Sequence, residues 1–367
     1  MIFLLLQITQ SSPDYEGEPL TKSCFTDYVK LLPETVLLPT FYTEEEKELL
    51  FGTTLQDPLE QKLLSLENEF DNLRAATADM AWAQKHWWDE ETGNLTLVDW
   101  MLVDALYRSR SLELPGLGHT MIPCIDMVNH GSQFGKNAHY ELDSDNNVLL
   151  QTTGSAVKEG EEVSISYGDD KSACEMLFSY GFLEFNMYNP NSMFLDLDIP
   201  EDDPLRMVKK SVNREAPGFR IVVEKSPGKE DDLKWEGDYV YWACVNEEDG
   251  LNFRVVQAVD GDRQLEMTWH DQQVEPSSLR ALLEKDPQWE IFQLRAVVML
   301  EERMHLQLNH LEGSEDTAVD SVERGIRDEV LQSICALRKL EHGFLDHFQW
   351  VLQEQVRPED HLLHNSF

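Results

Sequence analysis

The sequence predicts an α+β protein in two parts. Three observations carry that prediction. Apolar residues recur at helical spacing from about 20 to 110, the period switches to alternation from 120 onward and again over 219 to 269, and long amphipathic stripes follow. A chain of 367 residues can bury a large core and divide into two structural units.

Taken in order, the run Ile2-Phe3-Leu4-Leu5-Leu6 is too short to span a membrane, follows no basic region and precedes no small-residue cleavage site. It reads as one face of an interior element whose upstream sequence is missing. Thr43 with Glu46 forms a capping box ahead of Lys47-Glu48-Leu49-Leu50-Phe51. Asp57, Pro58 and Glu60 mark a second start, after which Leu59, Leu63, Leu66, Phe70 and Leu73 form one stripe. Thr96 and Asp99 open a third helix carrying Leu97, Trp100, Met101 and Leu106. Trp82, Trp87, Trp88 and Trp100 are read as helix packing rather than a ligand cage.

From 120 the pattern is that of strands. Tyr140 and Leu142, a polar turn over Asp143 to Asn147, then Val148 and Leu150 predict a hairpin. Val157, a turn at Lys158-Glu159-Gly160, and Val163, Ile165 and Tyr167 predict another. The Asp143 to Asn147 turn alternates oxygen side chains, but it lacks the glycine and glutamate that a calcium loop requires and is read as a turn. Phe219 to Val223, Tyr239 to Val245, Phe253 to Val259 and Leu265 to Trp269, punctuated by Pro227-Gly228, Asp249-Gly250 and Asp260-Gly261, predict a small antiparallel sheet. Two long helices are expected over about 277 to 310 and 316 to 356, joined through Glu312-Gly313-Ser314-Glu315. The second carries the stripe Val319, Val322, Ile326, Val330, Ile334, Leu337, Phe344 and Phe348.

Composition excludes some function classes. The chain has 69 acidic and 30 basic side chains, a formal charge of −39, so its surface repels nucleic acid and membrane phosphates and favours basic partners. Cys24, Cys124, Cys174, Cys244 and Cys335 are scattered, with no metal-ligand spacing, and are expected to be reduced, buried thiols of an intracellular protein. No metal site is expected. Asn94-Leu95-Thr96 matches a glycosylation acceptor but lacks a secretion signal.

The chemistry-bearing segment is Ile122-Pro123-Cys124-Ile125-Asp126-Met127-Val128-Asn129-His130, followed by Ile165-Ser166-Tyr167-Gly168 and Ser179-Tyr180-Gly181-Phe182. An Asn-His pair leaving an apolar run, a tyrosine ending an alternating strand and a second tyrosine beyond it resemble, in order and spacing, the back half of a SET-domain protein-lysine methyltransferase. The resemblance covers about 100 to 186 and, more loosely, 190 to 367. It is to the non-histone branch typified by the Rubisco large-subunit methyltransferase, which lacks the zinc-binding cysteine cluster of histone methyltransferases. It implies a SET-type β-fold in residues 1–186, split by a helical insertion at about 20–105, and a mostly helical substrate-binding domain with a small antiparallel sheet in 187–367.

The resemblance also implies roles. The cofactor is S-adenosyl-L-methionine, contacted by Asn129 and His130, by Arg110 at its boundary with the substrate and by Phe182 over the adenine. Tyr167 is the catalytic residue, its hydroxyl aligning amine and methyl; an ordinary phenol near ~10 is a poor base at neutral pH, which favours orientation over proton abstraction. Asp126, Tyr140 and Tyr180 fall where the family lines its lysine channel. Leu112 stands where that channel usually carries an aromatic. The family's Gly-x-Gly segment does not precede the helical insertion, and the only early glycines are Gly17 and Gly52. The expected activity is methyl transfer to a lysine of a non-histone, basic protein; the alternative is a catalytically silent SET-like binding module. A monomer in the cytoplasm or nucleus is expected, with neither nucleic acid nor membrane as partner. A cysteine hydrolase using Cys124 or Cys174 with His119 or His130 is disfavoured, because an apolar run usually makes a thiol inert.

Overall fold

The computed structural model describes residues 1–356 apart from 22, 92, 94, 132–134, 155, 169–170, 185–191, 225–231, 258–262 and 314–324. Asn94, the turns at Pro227-Gly228 and Asp260-Gly261, Val319, Val322 and part of the Glu312–Glu315 linker therefore lie outside the described residues. Among those described, no helix is long and apolar enough to cross a membrane, and no cluster of His, Cys, Asp or Glu could hold a metal ion. Two compact units emerge: one comprises residues 1–50, 55–187 and 320–334, the other 51–54, 188–319 and 335–367.

In the first unit the early helices form where the pattern places them. The helix Ile2–Ser11 buries Leu5 and Leu6 and leaves Ile2 and Phe3 exposed. The expected capping box of Thr43 with Glu46 is present, and Thr96 and Asp99, expected to open the third helix, form a second, each satisfying amides that the first helical turn cannot. The helix Gln56–Thr77 buries Leu59, Leu66 and Leu73, every second turn of one face. Leu66 and Leu73 join Leu5, Trp87, Trp100 and Val103 in one apolar cluster, with Trp82 and Trp88 packed against it. The tryptophans are thus packing residues.

The helix Leu97–Arg110 runs directly into a strand, Ser111–Leu114, paired antiparallel with Gly118–Met121. The hairpin Ala138–Leu142 with Val148–Thr152 forms as expected, and Asp143 accepts hydrogen bonds from the amides of Asp145 and Asn147, an ordinary turn-forming role for aspartate. The second expected hairpin does not form. Ser164–Ile165 instead pairs in parallel with Asn129–His130. The reason is competition for backbone groups: Asn137 takes both the Ser164 amide, through its side chain at 3.0 Å, and the Ser164 carbonyl at 3.2 Å. Upstream, Lys158 to Glu161 closes on itself, the Glu161 carboxylate accepting from the Lys158 amide.

Among the described residues the second unit holds two three-stranded antiparallel sheets rather than one. Gly218–Glu224 lies between Ser192–Asp196 and Asp232–Glu236, and Arg263–Trp269 lies between Leu251–Gln257 and Gln272–Val274. Tyr239–Cys244, read as a strand, is a helix. Its residues are continuously apolar and all six are buried, so the run lacks the alternation that separates a half-buried strand from a core helix. The helix expected over 277 to 310 is likewise two, Leu279–Leu283 and Trp289–Glu312. Pro287 has no amide to continue the first and disfavours helical geometry at Asp286. In the last helix, Asp328–Val356, the stripe Val330, Ile334, Leu337, Phe344 and Phe348 is buried.

Of the five cysteines only Cys244 is buried; Cys24, Cys124 and Cys335 are exposed and Cys174 is intermediate. The expectation of buried thiols fails, for Cys124 most informatively. That residue has φ 76°, a left-handed backbone unusual for a side-chain-bearing residue, which turns the chain into the short helix Ile125–Met127. The apolar run there is kinked rather than extended.

Candidate active site

The kink at Cys124 carries Asp126 inward. Its amide bonds the Ile122 carbonyl at 3.0 Å, and its carboxylate is fully buried. Arg110, at the C-terminal end of its helix, places Nη1 3.3 Å from the Asp126 carbonyl and 3.6 Å from Oδ2. The Tyr28 hydroxyl donates a short hydrogen bond to the same Oδ2. Two buried atoms of this group, Asp126 Oδ1 and Arg110 Nε, have no hydrogen-bond partner among the described residues. Burial raises the Asp126 carboxyl despite the opposing Tyr28 and Arg110 contacts, and burial with the hydrogen bond to Asp126 pushes the Tyr28 phenol far above its ordinary range.

Beyond Asp126 the chain passes Val128 and enters the two-residue strand Asn129–His130. His130 is held at both ring nitrogens: Nδ1 accepts from the Tyr167 amide at 3.1 Å, and Nε2 lies 2.9 Å from Glu184 Oε1. An acceptor Nδ1 requires the neutral ring's proton on Nε2, where it faces the carboxylate. The Tyr167 hydroxyl in turn donates to the Val128 carbonyl at 2.8 Å. Parallel pairing of 129–130 with 164–165 is therefore what brings the Asn-His segment and the tyrosine together.

Tyr180, Phe182, Tyr167 and His130 complete an aromatic cluster. Ring centroids are 4.6 Å apart for Tyr167 and Tyr180, 5.1 Å for His130 and Tyr167, 5.8 Å for His130 and Phe182, and 6.3 Å for Tyr180 and Phe182. Ser172 with Glu175 caps the helix Ala173–Tyr180, and Gly181, at φ +80°, ends it in the left-handed conformation that glycine supplies. Burial raises the Tyr167 phenol, and burial followed by the neighbouring Tyr167 and Tyr140 pushes Tyr180 up to about 12. Lys171 sits 5.8 Å over the Tyr180 ring.

Two sequence-predicted residues at the edge of this cluster direct their polar groups elsewhere. Tyr140 donates to the Glu113 carbonyl at 3.3 Å and packs against the apolar group of Leu112, Ala138 and Ile165. Asn129 is exposed, its amide donating to Glu162 Oε1 at 2.6 Å. Sequence reasoning did not find Tyr28, Glu184 or Glu162. Tyr28 lies 98 positions from Asp126 and no local pattern marks it; Glu184, by contrast, follows Tyr180 and Phe182 closely enough to have been weighed.

The overall fold matches known structures. The Rubisco large-subunit methyltransferase (LSMT) bound to AdoMet superposes with a TM-score of 0.61 at 20% identity, covering 96% of this chain and 74% of that one. An LSMT SET domain bound to lysine and AdoHcy gives the same score. The LSMT SET-domain fold is the fold of this chain. Residues 117–198 match the family described as cytochrome c lysine N-methyltransferase 1. The chain is 28% identical over 284 residues to SET domain-containing protein 8 of Schizosaccharomyces pombe, covering 77% of the chain and 62% of the relative. It is 30% identical over 197 residues to the chloroplastic fructose-bisphosphate aldolase lysine N-methyltransferase of Arabidopsis thaliana, covering 52% and 39% respectively. The chain thus spans less than two thirds of the length of either relative.

Proposed function

We propose that this chain transfers methyl groups from S-adenosyl-L-methionine to the side-chain amine of a lysine in a non-histone, basic protein. The observation that carries the reading is the Tyr167 hydroxyl, fixed on the Val128 carbonyl and surrounded by the rings of His130, Tyr180 and Phe182. When bound, the cofactor supplies an electrophilic methyl on a positively charged sulfur. The residues present fit such a group in two respects. Clustered aromatic faces favour a desolvated cation, and the unpartnered Arg110 Nε is a donor available to a carboxylate.

In this reading Asn129, His130, Arg110 and Phe182 hold the cofactor, and Asp126, Tyr140 and Tyr180 line the lysine channel. The raised Tyr167 and Tyr180 phenols stay protonated at neutral pH, so they orient by hydrogen bonding and take no proton. The reaction needs a neutral amine, whereas a free lysine titrates near ~10.4. Loss of water from the channel, and the positive charge of a bound sulfonium beside it, disfavour the ammonium form. Asp126, pushed by burial toward its own neutral form, opposes this less than a fully ionised carboxylate would. Rate then comes from positioning.

Assignment of 1–186 as the SET domain and 187–367 as the substrate-binding domain belongs to the same proposal, as do a monomeric state and a cytoplasmic or nuclear location. Supporting a non-histone substrate are relatives that act on fructose-bisphosphate aldolase and on the Rubisco large subunit. Calorimetry with S-adenosyl-L-methionine is the test, with methyl transfer assayed in Tyr167→Phe. The expected result is cofactor binding by both proteins and transfer lost by about 100-fold or more in the variant. Unchanged transfer removes Tyr167 from its role, and capture of a protein partner without cofactor binding would replace the enzyme with a silent SET-like module.

A further inference from the structure

The second unit contains a cavity of about 690 Å³ bounded by Pro200, Asp202, Glu247, Glu248, Leu294 and Val298. Its floor comes from the helix Trp289–Glu312, which has two apolar faces. One, formed by Phe292, Ala296, Leu300 and Met304, is buried in the core. The other carries Ile291, Leu294 and Val298, at 48%, 52% and 44% exposure. A helix covering a core on one side normally turns polar residues outward; an exposed apolar stripe rimmed by charge marks a binding surface.

The rim is anionic once its internal pairs are counted. Asp203, also at the cavity, is consumed by buried Lys209, and Arg295 is consumed by Asp249, both of whose carboxylate oxygens lie within 2.9 Å of Nη1. Asp202, Glu247 and Glu248 are exposed and make no ion pair among the described residues. The backbone that carries two of them is fixed. Asn246 caps the short helix Glu247–Asp249 by accepting from the Glu248 amide at 2.9 Å, and Asp249 closes the box from its ion pair with Arg295.

We infer that this groove is a docking site for a basic, amphipathic segment of a partner protein. Apolar side chains of the segment seat against Leu294 and Val298, and its lysines or arginines face Asp202, Glu247 and Glu248. Charge complementarity selects this occupant. A second copy of the chain, carrying −39, would bring carboxylates to a carboxylate rim. That the segment belongs to the methylated substrate rests on the methyltransferase reading; the groove itself does not.

Fluorescence anisotropy on the full chain tests this without cofactor, so its outcome is independent of cofactor binding measured by calorimetry. The probe is a fluorescein-labelled amphipathic Leu/Lys peptide roughly four helical turns long, compared with its Leu/Glu counterpart. The Leu/Lys peptide should bind saturably and the Leu/Glu peptide should not. The double charge reversal Glu247→Lys with Glu248→Lys, and separately Val298→Asp, should each weaken binding by about tenfold or more. The reversal Glu90→Lys with Glu91→Lys, equal in charge but placed on exposed residues of the other unit, should leave it unchanged. The inference is overturned if the Leu/Lys peptide does not bind, if the distant reversal weakens binding equally, or if the chain self-associates in sedimentation and Val298→Asp abolishes that association. Circular dichroism establishes that each variant is folded.

Discussion

Glu341 is a carboxyl group buried almost completely in the second unit, and it should make that unit lose stability as pH rises through neutrality. The Thr54 amide donates to it at 3.0 Å and the Thr54 hydroxyl makes a further short hydrogen bond. Burial outweighs these donors and the nearby Arg338 charge, lifting the carboxyl from an ordinary 4.5 to about 7. Because the folded value lies above the unfolded one, the group's contribution is fully favourable below about 4.5 and is lost as pH rises through about 7. At about 1.4 kcal/mol per unit, the swing is about 3 kcal/mol. The Glu341→Gln variant keeps the shape and an acceptor for the Thr54 amide but cannot ionise. Urea unfolding followed by tryptophan fluorescence at a series of pH values from 4 to 8 gives the stability difference between the two proteins. Taking the difference cancels the general loss that a chain of charge −39 suffers as its carboxylates ionise. Wild type should fall relative to the variant across this range; a constant difference, or a rise, would refute the burial argument.

In the first unit, Arg327 donates to fully buried Glu46 from Nε at 2.9 Å and from its amide at 3.0 Å. Replacing it by Met should cost about 3–5 kcal/mol in thermal or urea unfolding, because a buried carboxylate loses its partner. The Arg327 contacts hold Glu46 down at about 2, so this deficit is full above the usual carboxylate range and should shrink as pH falls toward that value. Gly181→Ala places a Cβ 2.3 Å from the Leu37 carbonyl oxygen at φ +80°, and a loss of at least about 2 kcal/mol is expected in the same assay. Tyr28→Phe removes a donor from buried Asp126 and should cost about 1–3 kcal/mol; an unchanged melting point would show that the hydrogen bond carries no net stability.

How far the chain could be read depended on the range of the interaction. The capping boxes at Thr43 and Thr96 and the hairpin over 138–152 were legible because each is satisfied by residues a few positions apart. The strand reading of Tyr239 to Val245 failed because a short, wholly apolar run has no period to read, and burial on every side suits a helix equally. The failed hairpin at 157–167 has a different cause. Asn137, 27 positions from Ser164, claims the backbone groups that a local partner would have used.

The candidate site divides the same way. Residue types, order and spacing resemble a known family closely enough to imply the SET-type fold and to nominate Asn129, His130, Tyr167 and Tyr180, because each lies in a short segment that can be read on its own. Only tertiary structure decided that Tyr28 holds Asp126, that Glu184 and the Tyr167 amide fix the His130 ring, and that Tyr140 turns its hydroxyl to Glu113. These contacts join distant segments through buried polar atoms. Their partners are set by how the backbone is threaded, and a linear pattern of hydrophobicity carries no record of that threading.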